Sequence, residues 1–250
     1  MKRPPVITAA ILVVALASGC SDSGARGGAP TLTVFAASSL TGVFEDIGAA
    51  FERRSDGVEL EFVFGSSSDL VTQLEQGARA DVYASADEAN MSRALDAGFV
   101  EGDPRVFARN ELEIIVPPDN PGGVTELADL ANQDLVLTIC SPECPAGRYA
   151  LEIFDTAGVA AVPDSFEAEV KGVVSRVALG EADAGIAFVT DRRAAGGAVE
   201  GIPIADDVGV VASYPIAALG GASAAADRWI EFVLAGAGQK ILRRHGFLPK

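Results

Sequence analysis

Apolar positions from residue 31 onward fall into short blocks that switch between two periods. Leu32-Thr33-Val34-Phe35-Ala36 predicts a strand, and Leu40, Val43, Phe44, Ile47 and Phe51 then recur at helical spacing. Val58, Leu60, Phe62 and Phe64 alternate as a second strand, followed by a short helix through Leu70 and Leu74 that Gly77 ends. Asp81–Ser85 predicts a third strand. Met91 and Leu95 predict a helix closed by Gly98, and Glu111–Val116 a strand stopped by Pro117 and Pro118.

A second set repeats the alternation. Leu127 and Leu130 predict a short helix capped near Thr125, Leu135–Ile139 a strand, and Pro145–Ala157 a helix with proline in its first turn. Val173, Val174 and Val177 predict another helix ending near Gly180, Ala184–Val189 a strand, and Val208–Ala218 a longer extended stretch. Trp229, Ile230, Val233 and Leu234 mark an amphipathic helix, and a last helix carries Ile241 and Leu242 up to Gly246. Strand and helix patterns joined by short connections predict an α/β architecture with mostly parallel pairing.

The first thirty residues break this pattern. Lys2 and Arg3 precede an almost wholly apolar run, Val6–Ala17. It is too short for the roughly 20 residues that span a bilayer and suits the apolar core of a signal peptide over residues 1–19. The run ends in Ala17-Ser18-Gly19-Cys20, the pattern of a bacterial lipoprotein processing site, which predicts acylation of Cys20. Each buried CH₂ of such a chain contributes about 0.8 kcal/mol to membrane attachment. Residues 20–30, rich in glycine and small polar side chains, predict a flexible tether. The remaining chain of about 220 residues suffices for one large domain or two lobes.

Charge narrows the partners. Lys and Arg number 19 against 35 Asp and Glu, a net of −16; without Lys2 and Arg3 the balance is 17 against 35, or −18. This argues against nucleic acid or an anionic lipid surface as the main partner. Any anion site here has to work through local donors. Cys140 and Cys144 remain as an even pair in an oxidising compartment, where a disulfide and two free thiols are the alternatives. A closed zinc site wants four ligands, and His245 is the single histidine.

Two strands lead into serine-rich turns, Ala36-Ala37-Ser38-Ser39-Leu40-Thr41 and Gly65-Ser66-Ser67-Ser68-Asp69-Leu70. A helix start leaves up to four N–H groups unpaired and carries partial positive charge, so a hydroxyl beside it makes an anion site without a cationic side chain. Plain N-capping would need the same serines and no ligand. Pro145-Ala146-Gly147 and Val170-Lys171-Gly172 offer two more helix starts with small residues.

Those segments, together with Gly77–Val82, Cys144–Ala150, Gly180–Ile186, Tyr214-Pro215-Ile216-Ala217 and Gly246-Phe247-Leu248-Pro249, resemble in order the molybdate-binding proteins of bacterial ABC importers. The resemblance implies an α/β, two-lobe periplasmic-binding-protein fold of type II. Each lobe would be a mixed sheet flanked by helices, with 31–113 and 214–250 in lobe one and 114–213 in lobe two. The ligand, molybdate or tungstate, would sit in the interlobe cleft with no cofactor. The metal, as an oxyanion, would be held through hydrogen bonds: Ser39 and Ser67 match the family's ligand serines, and Ala146 and Val170 its backbone donors. Phe188 is a departure, since better-known members place tyrosine after the Gly-Ile-x stretch, and here Gly185-Ile186-Ala187-Phe188 has no hydroxyl. The resemblance further implies a monomer anchored by lipid to the outer face of the cytoplasmic membrane, serving an ABC permease and its ATPase.

Other readings compete. Sulfate or another oxyanion could use the same architecture, and a signalling lipoprotein could keep the fold without the ligand. An enzyme fits poorly. A serine nucleophile needs a neighbouring base, His245 reads as a helix-end or surface residue, and no Gly-x-Ser-x-Gly elbow occurs.

Overall fold

A computed structural model describes residues 31–55 and 57–250. The expected signal peptide, Cys20 and the tether lie outside the described residues.

The chain begins with β1 (Thr31–Ala37), a 3₁₀ turn at Ser38–Leu40 and α1 (Thr41–Glu52), then β2 (Glu59–Gly65), α2 (Ser67–Glu75), β3 (Val82–Ala84) and α3 (Glu88–Asp96). A long strand, β4 (Val100–Val116), precedes β5 (Leu137–Cys140), α4 (Pro145–Ala157), β6 (Ser165–Glu167), α5 (Val170–Ala178), β7 (Ala184–Phe188) and α6 (Val189–Ala195). The chain closes with β8 (Glu200–Pro203), β9 (Val211–Leu219), α7 (Ala224–Leu234) and α8 (Gly236–Arg244).

The strands hydrogen-bond in the order β2-β1-β3-β9-β4-β7-β5-β6, with β8 also on β4. β1 pairs in parallel with β2 and β3, and β5 in parallel with β6 and β7. Between these two parallel groups run β4 and β9, antiparallel to each other and to their neighbours. The sheet is therefore mixed, where helix-strand alternation alone predicts mostly parallel pairing. The physical reason is that β4 and β9 are not crossover strands: they cross between the two groups. β4 pairs with β9 through Glu111 and then with β7 and β8 from Leu112 to Val116.

Local burial explains the elements. α1 packs Val43, Phe44, Ile47 and Phe51, each at most 2% exposed, against an aromatic cluster of Phe62, Phe107 and Trp229. The Phe44 and Phe51 rings meet Trp229 edge-on with centroids 5.5 Å apart, an arrangement worth about 0.5–1.5 kcal/mol per pair beyond area burial. α4 ends at Gly158, whose φ of 64° only glycine adopts without strain.

Several boundaries differ from expectation. The strand expected at Glu111–Val116 is the tail of a 17-residue strand, and the extended stretch at Val208–Ala218 is β9, Val211–Leu219. The helix expected at Leu127 and Leu130 is a 3₁₀ turn, Leu127–Ala131, capped reciprocally by Glu126 and Asp129, next to Thr125 as expected. β6, α6 and β8 lie in segments where no element was expected. Among the described residues no helix is long and apolar enough to cross a membrane.

Candidate functional site

The carboxyl ends of β1 and β2 on one side, and of β5 and β7 on the other, face a shared cavity. In open α/β sheets this is where ligands gather. The lining comprises Ala37, Ser38, Ser39, Gly65, Ser66, Ser67 and Ala86 from the first side and Cys144, Pro145, Ala146, Val170 and Phe188 from the second. All five residues expected to meet an oxyanion, Ser39, Ser67, Ala146, Val170 and Phe188, are in that lining.

Five helix starts converge on it: the 3₁₀ turn at Ser38, α2, α4, α5 and α6. None has a side-chain cap. Of the other helices, α1 and α8 also lack side-chain caps, and two have them. Asp87 caps α3 by accepting from the Asn90 N–H, and Ser223 caps α7 by accepting from the Ala225 N–H. Ser66, the N-cap of α2, spends its hydroxyl on Ser68 Oγ at 2.9 Å instead. Simple N-capping, the alternative use of these serines, is not what they do. Their helix starts border the cavity with first-turn N–H groups that no N-cap side chain takes up.

The two serines expected as ligands are held by partners distant in sequence. Ser67 Oγ accepts from the Ala86 N–H at 3.0 Å, which leaves its own proton free. Ser39 Oγ lies 3.1 Å from the Tyr214 hydroxyl. Phe188 is 1% exposed and packs edge-on against Tyr214, ring centroids 5.7 Å apart. Cys140 and Cys144 are disulfide-bonded, Cα atoms 5.9 Å apart, immediately before α4. Gly147 then packs so closely on the carbonyls of Cys140 and Ser141 that a Cβ there would overlap them. Bond and close approach together fix where the Ala146 N–H points.

Size and charge bound the ligand. The cavity is small and open on one side, with ≈ 200 Å³ of empty space including its mouth, a size that suits a small ion. No charged side chain lines it. Lys171, next to Val170, turns its Nζ to Thr41 Oγ1 at 2.5 Å. Nearby, Asp191 is buried with Oδ2 unpartnered, and desolvation pushes its carboxyl up to about 7. Among the described residues no cluster of His, Cys, Asp and Glu could hold a metal ion directly.

Three contacts escaped sequence reasoning: Tyr214 with Ser39, Ala86 with Ser67, and Arg148 of α4 with Asp87 of α3. Each joins residues far apart in the chain, so no local spacing announces it. His245, read as a helix-end residue, follows α8 and bonds Asp46 through Nε2 at 2.8 Å.

Comparison with known proteins follows the same line. A family model described as "Bacterial extracellular solute-binding protein" matches residues 32–248. The molybdate-binding protein ModA of Mycobacterium tuberculosis is 39% identical over 229 residues, 91% of this chain and 88% of its own. Among solved structures, the Azotobacter vinelandii periplasmic molybdate-binding protein superposes with a TM-score of 0.75 at 20% identity, covering 88% of this chain and 100% of that one. The sulfate-binding protein SubI from Mycobacterium tuberculosis H37Rv reaches 0.80 at 17% identity, covering 88% and 87%. At those identities the structural likeness speaks for the fold.

Proposed function

This chain belongs to the bacterial extracellular solute-binding protein family, an exported class of binding proteins and not of enzymes, and we propose that it captures molybdate or tungstate and delivers it to an ABC importer. The observation that carries this reading is the convergence of five helix starts without side-chain caps on one small, uncharged cavity. A tetrahedral dianion offers only acceptors. Hydroxyls of Ser39 and Ser67 and backbone N–H groups at Ala146 and Val170 offer only what it needs. Donors aimed at a water-excluded anion are stronger than the same donors in water, and each hydrogen bond to a charged partner contributes about 1.5–3 kcal/mol. The strongly acidic chain adds no attraction of its own, so capture depends on these local groups. Similarity to ModA over 91% of the chain supports the choice of ligand.

Donors come from both ends of the β4–β9 crossing. Lobes 31–113 with 214–250 and 114–213 would swing about those strands, meeting the anion with one donor set and closing the other over it. A ligand drives closure only by binding the closed state better, and the required difference lies in donors that closure alone brings together. A permease with its ATPase would read the closed shape, served by a monomer tethered through acylated Cys20. Intact-mass measurement of membrane-extracted protein tests the acyl chains.

Thermal-shift and calorimetric titration with molybdate, tungstate, sulfate and phosphate test the ligand. A ligand bound only by the folded state raises the melting temperature with concentration. Shifts with molybdate and tungstate are expected. A shift with sulfate alone would transfer the site to the smaller anion, and none with any oxyanion would overturn capture.

A further inference from the structure

The buried hydrogen bonds behind Ser39 have a direction. Tyr214 is 0% exposed, and its phenol oxygen has two polar neighbours, Asn110 Nδ2 at 3.3 Å and Ser39 Oγ at 3.1 Å. Asn110, 1% exposed, is oriented by its other contacts. Its Oδ1 accepts from the Glu111 N–H at 3.1 Å, and its Nδ2 donates to Thr190 Oγ1 at 2.8 Å. An amide nitrogen only donates. The phenol oxygen therefore accepts from Asn110, and the acceptor within reach of its proton is Ser39 Oγ. Were Ser39 to donate instead, a fully buried phenol proton would go unpaired, at the full desolvation penalty of that group. Burial also pushes the Tyr214 hydroxyl well above its usual pKa, so it keeps the proton it donates.

Ser39 Oγ thus receives a proton from behind, and its own is turned toward the cavity it lines. Ser67 is held on the same logic, since its Oγ accepts from the Ala86 N–H. We propose that Asn110 and Tyr214 are positioning residues that hold Ser39 as an obligate hydrogen-bond donor, so that the cavity admits tetrahedral oxyanions bearing no proton and disfavours those that carry one. The proposal rests on the reading of the cavity as an oxyanion site. A serine hydroxyl free to rotate accepts the P–OH of hydrogen phosphate as readily as it donates. A hydroxyl fixed as a donor leaves that P–OH facing another donor, which is discrimination by an unfavourable contact.

The test titrates the wild type, Tyr214→Phe and Asn110→Ala with molybdate and with inorganic phosphate near neutral pH, where phosphate carries a proton. Tyr214→Phe is then repeated in a Ser39→Ala background. Removing the phenol is expected to lower the molybdate-over-phosphate affinity ratio by about tenfold or more. Without Ser39, the same change is expected to alter molybdate affinity by less than about twofold, because residues acting through one another are not additive. Asn110→Ala leaves the phenol in place, is expected to shift the ratio in the same direction, and serves if Tyr214→Phe fails to fold. Equal loss for both anions, or an undiminished loss without Ser39, would overturn the relay and leave Tyr214 a packing residue. A wild type that binds no tetrahedral oxyanion overturns the site reading itself, and that is seen before any variant is compared.

Discussion

The guanidinium of Arg148, near the start of α4, pairs across the cavity with the carboxylate of Asp87 at the start of α3. Asp87 is fully buried and already accepts from the Asn90 N–H at 2.8 Å, Asn90 Nδ2 at 2.9 Å and Ser85 Oγ at 3.2 Å. Neutral donors satisfy its oxygens, and Arg148 supplies the opposite charge from the other side of the cleft. The pair therefore ties α4 to α3 across the cavity. Arg148 is 37% exposed, so solvent screens it and its contribution is about 1–2 kcal/mol, below that of a wholly buried pair. Arg148→Gln is expected to weaken molybdate binding by roughly 5- to 30-fold and to enlarge the ligand-free protein in solution scattering. Unchanged affinity would mean that the pair does not help to close the cleft.

Such contacts mark the limit of what the sequence reveals. α1 is legible because its buried Val43, Phe44, Ile47 and Phe51 fall into a helical period, and β1 and β2 because Leu32 and Val34, and Leu60, Phe62 and Phe64, alternate in sequence. The first half of β4 is not, because Glu101, Asp103, Arg105 and Arg109 interrupt its apolar positions and two register shifts interrupt its pairing with β9. α6 follows β7 without a glycine or proline between them, so Phe188-Val189 reads as continuing strand. Site residues at helix starts are local features and readable as such. Tyr214 and Ser39 lie 175 positions apart, and only folding makes them neighbours.

Asp191 gives the site a pH dependence. Burial pushes its carboxyl up to about 7, while Lys171 on α5 and a hydrogen bond from the Phe188 N–H pull it down and Glu169 adds to the rise. Tyr214 faces it from β9 and stays neutral. An unfolded aspartate titrates near 3.9. Between those values the folded chain holds a proton that the unfolded chain has lost. The stability linked to Asp191 is thus fully present below about 4 and is lost as pH rises through about 7, a change of roughly 4 kcal/mol at most. Above that range its negative charge, three residues from Phe188, opposes an incoming dianion. Molybdate affinity is expected to fall as pH crosses about 7, whereas Asp191→Asn flattens the profile and raises the melting temperature on the alkaline side. A wild-type profile as flat as that of the variant would remove Asp191 from the account.

The start of α4 tolerates no added atom at Gly147, where the carbonyls of Cys140 and Ser141 occupy the space a Cβ needs. Gly147→Ala has to move either the helix or the disulfide-closed loop, and overpacking of this kind costs about 1–3 kcal/mol. Because Ala146 sits one residue before, its N–H moves too. Melting is expected to fall by several degrees, at about 2–4 °C per kcal/mol for a chain of this size, and molybdate affinity by about tenfold or more. Reducing Cys140–Cys144 frees a loop so short that chain entropy accounts for about 2 kcal/mol. Reduction should therefore lower the melting temperature by about 4–8 °C while leaving more of the affinity than Gly147→Ala does. Calorimetry on both forms separates the two effects.

Phe188 is where a hydroxyl is expected from the family pattern and is missing. Its ring is 1% exposed, lines the cavity and meets the edge of Tyr214, whose own hydroxyl is already committed between Asn110 and Ser39. Tyr214 therefore supports a neighbouring donor and does not replace the absent one. Restoring a phenol by Phe188→Tyr adds a donor at a position that lines the cavity, with no charged side chain there to compete for it. One additional hydrogen bond to a charged partner contributes about 1.5–3 kcal/mol, which converts to roughly 10- to 150-fold tighter binding. Calorimetric titration of Phe188→Tyr with molybdate is expected to show at least about tenfold higher affinity. No gain in a variant with an undiminished melting temperature would place the para position of residue 188 away from the anion and assign its ring to the core alone.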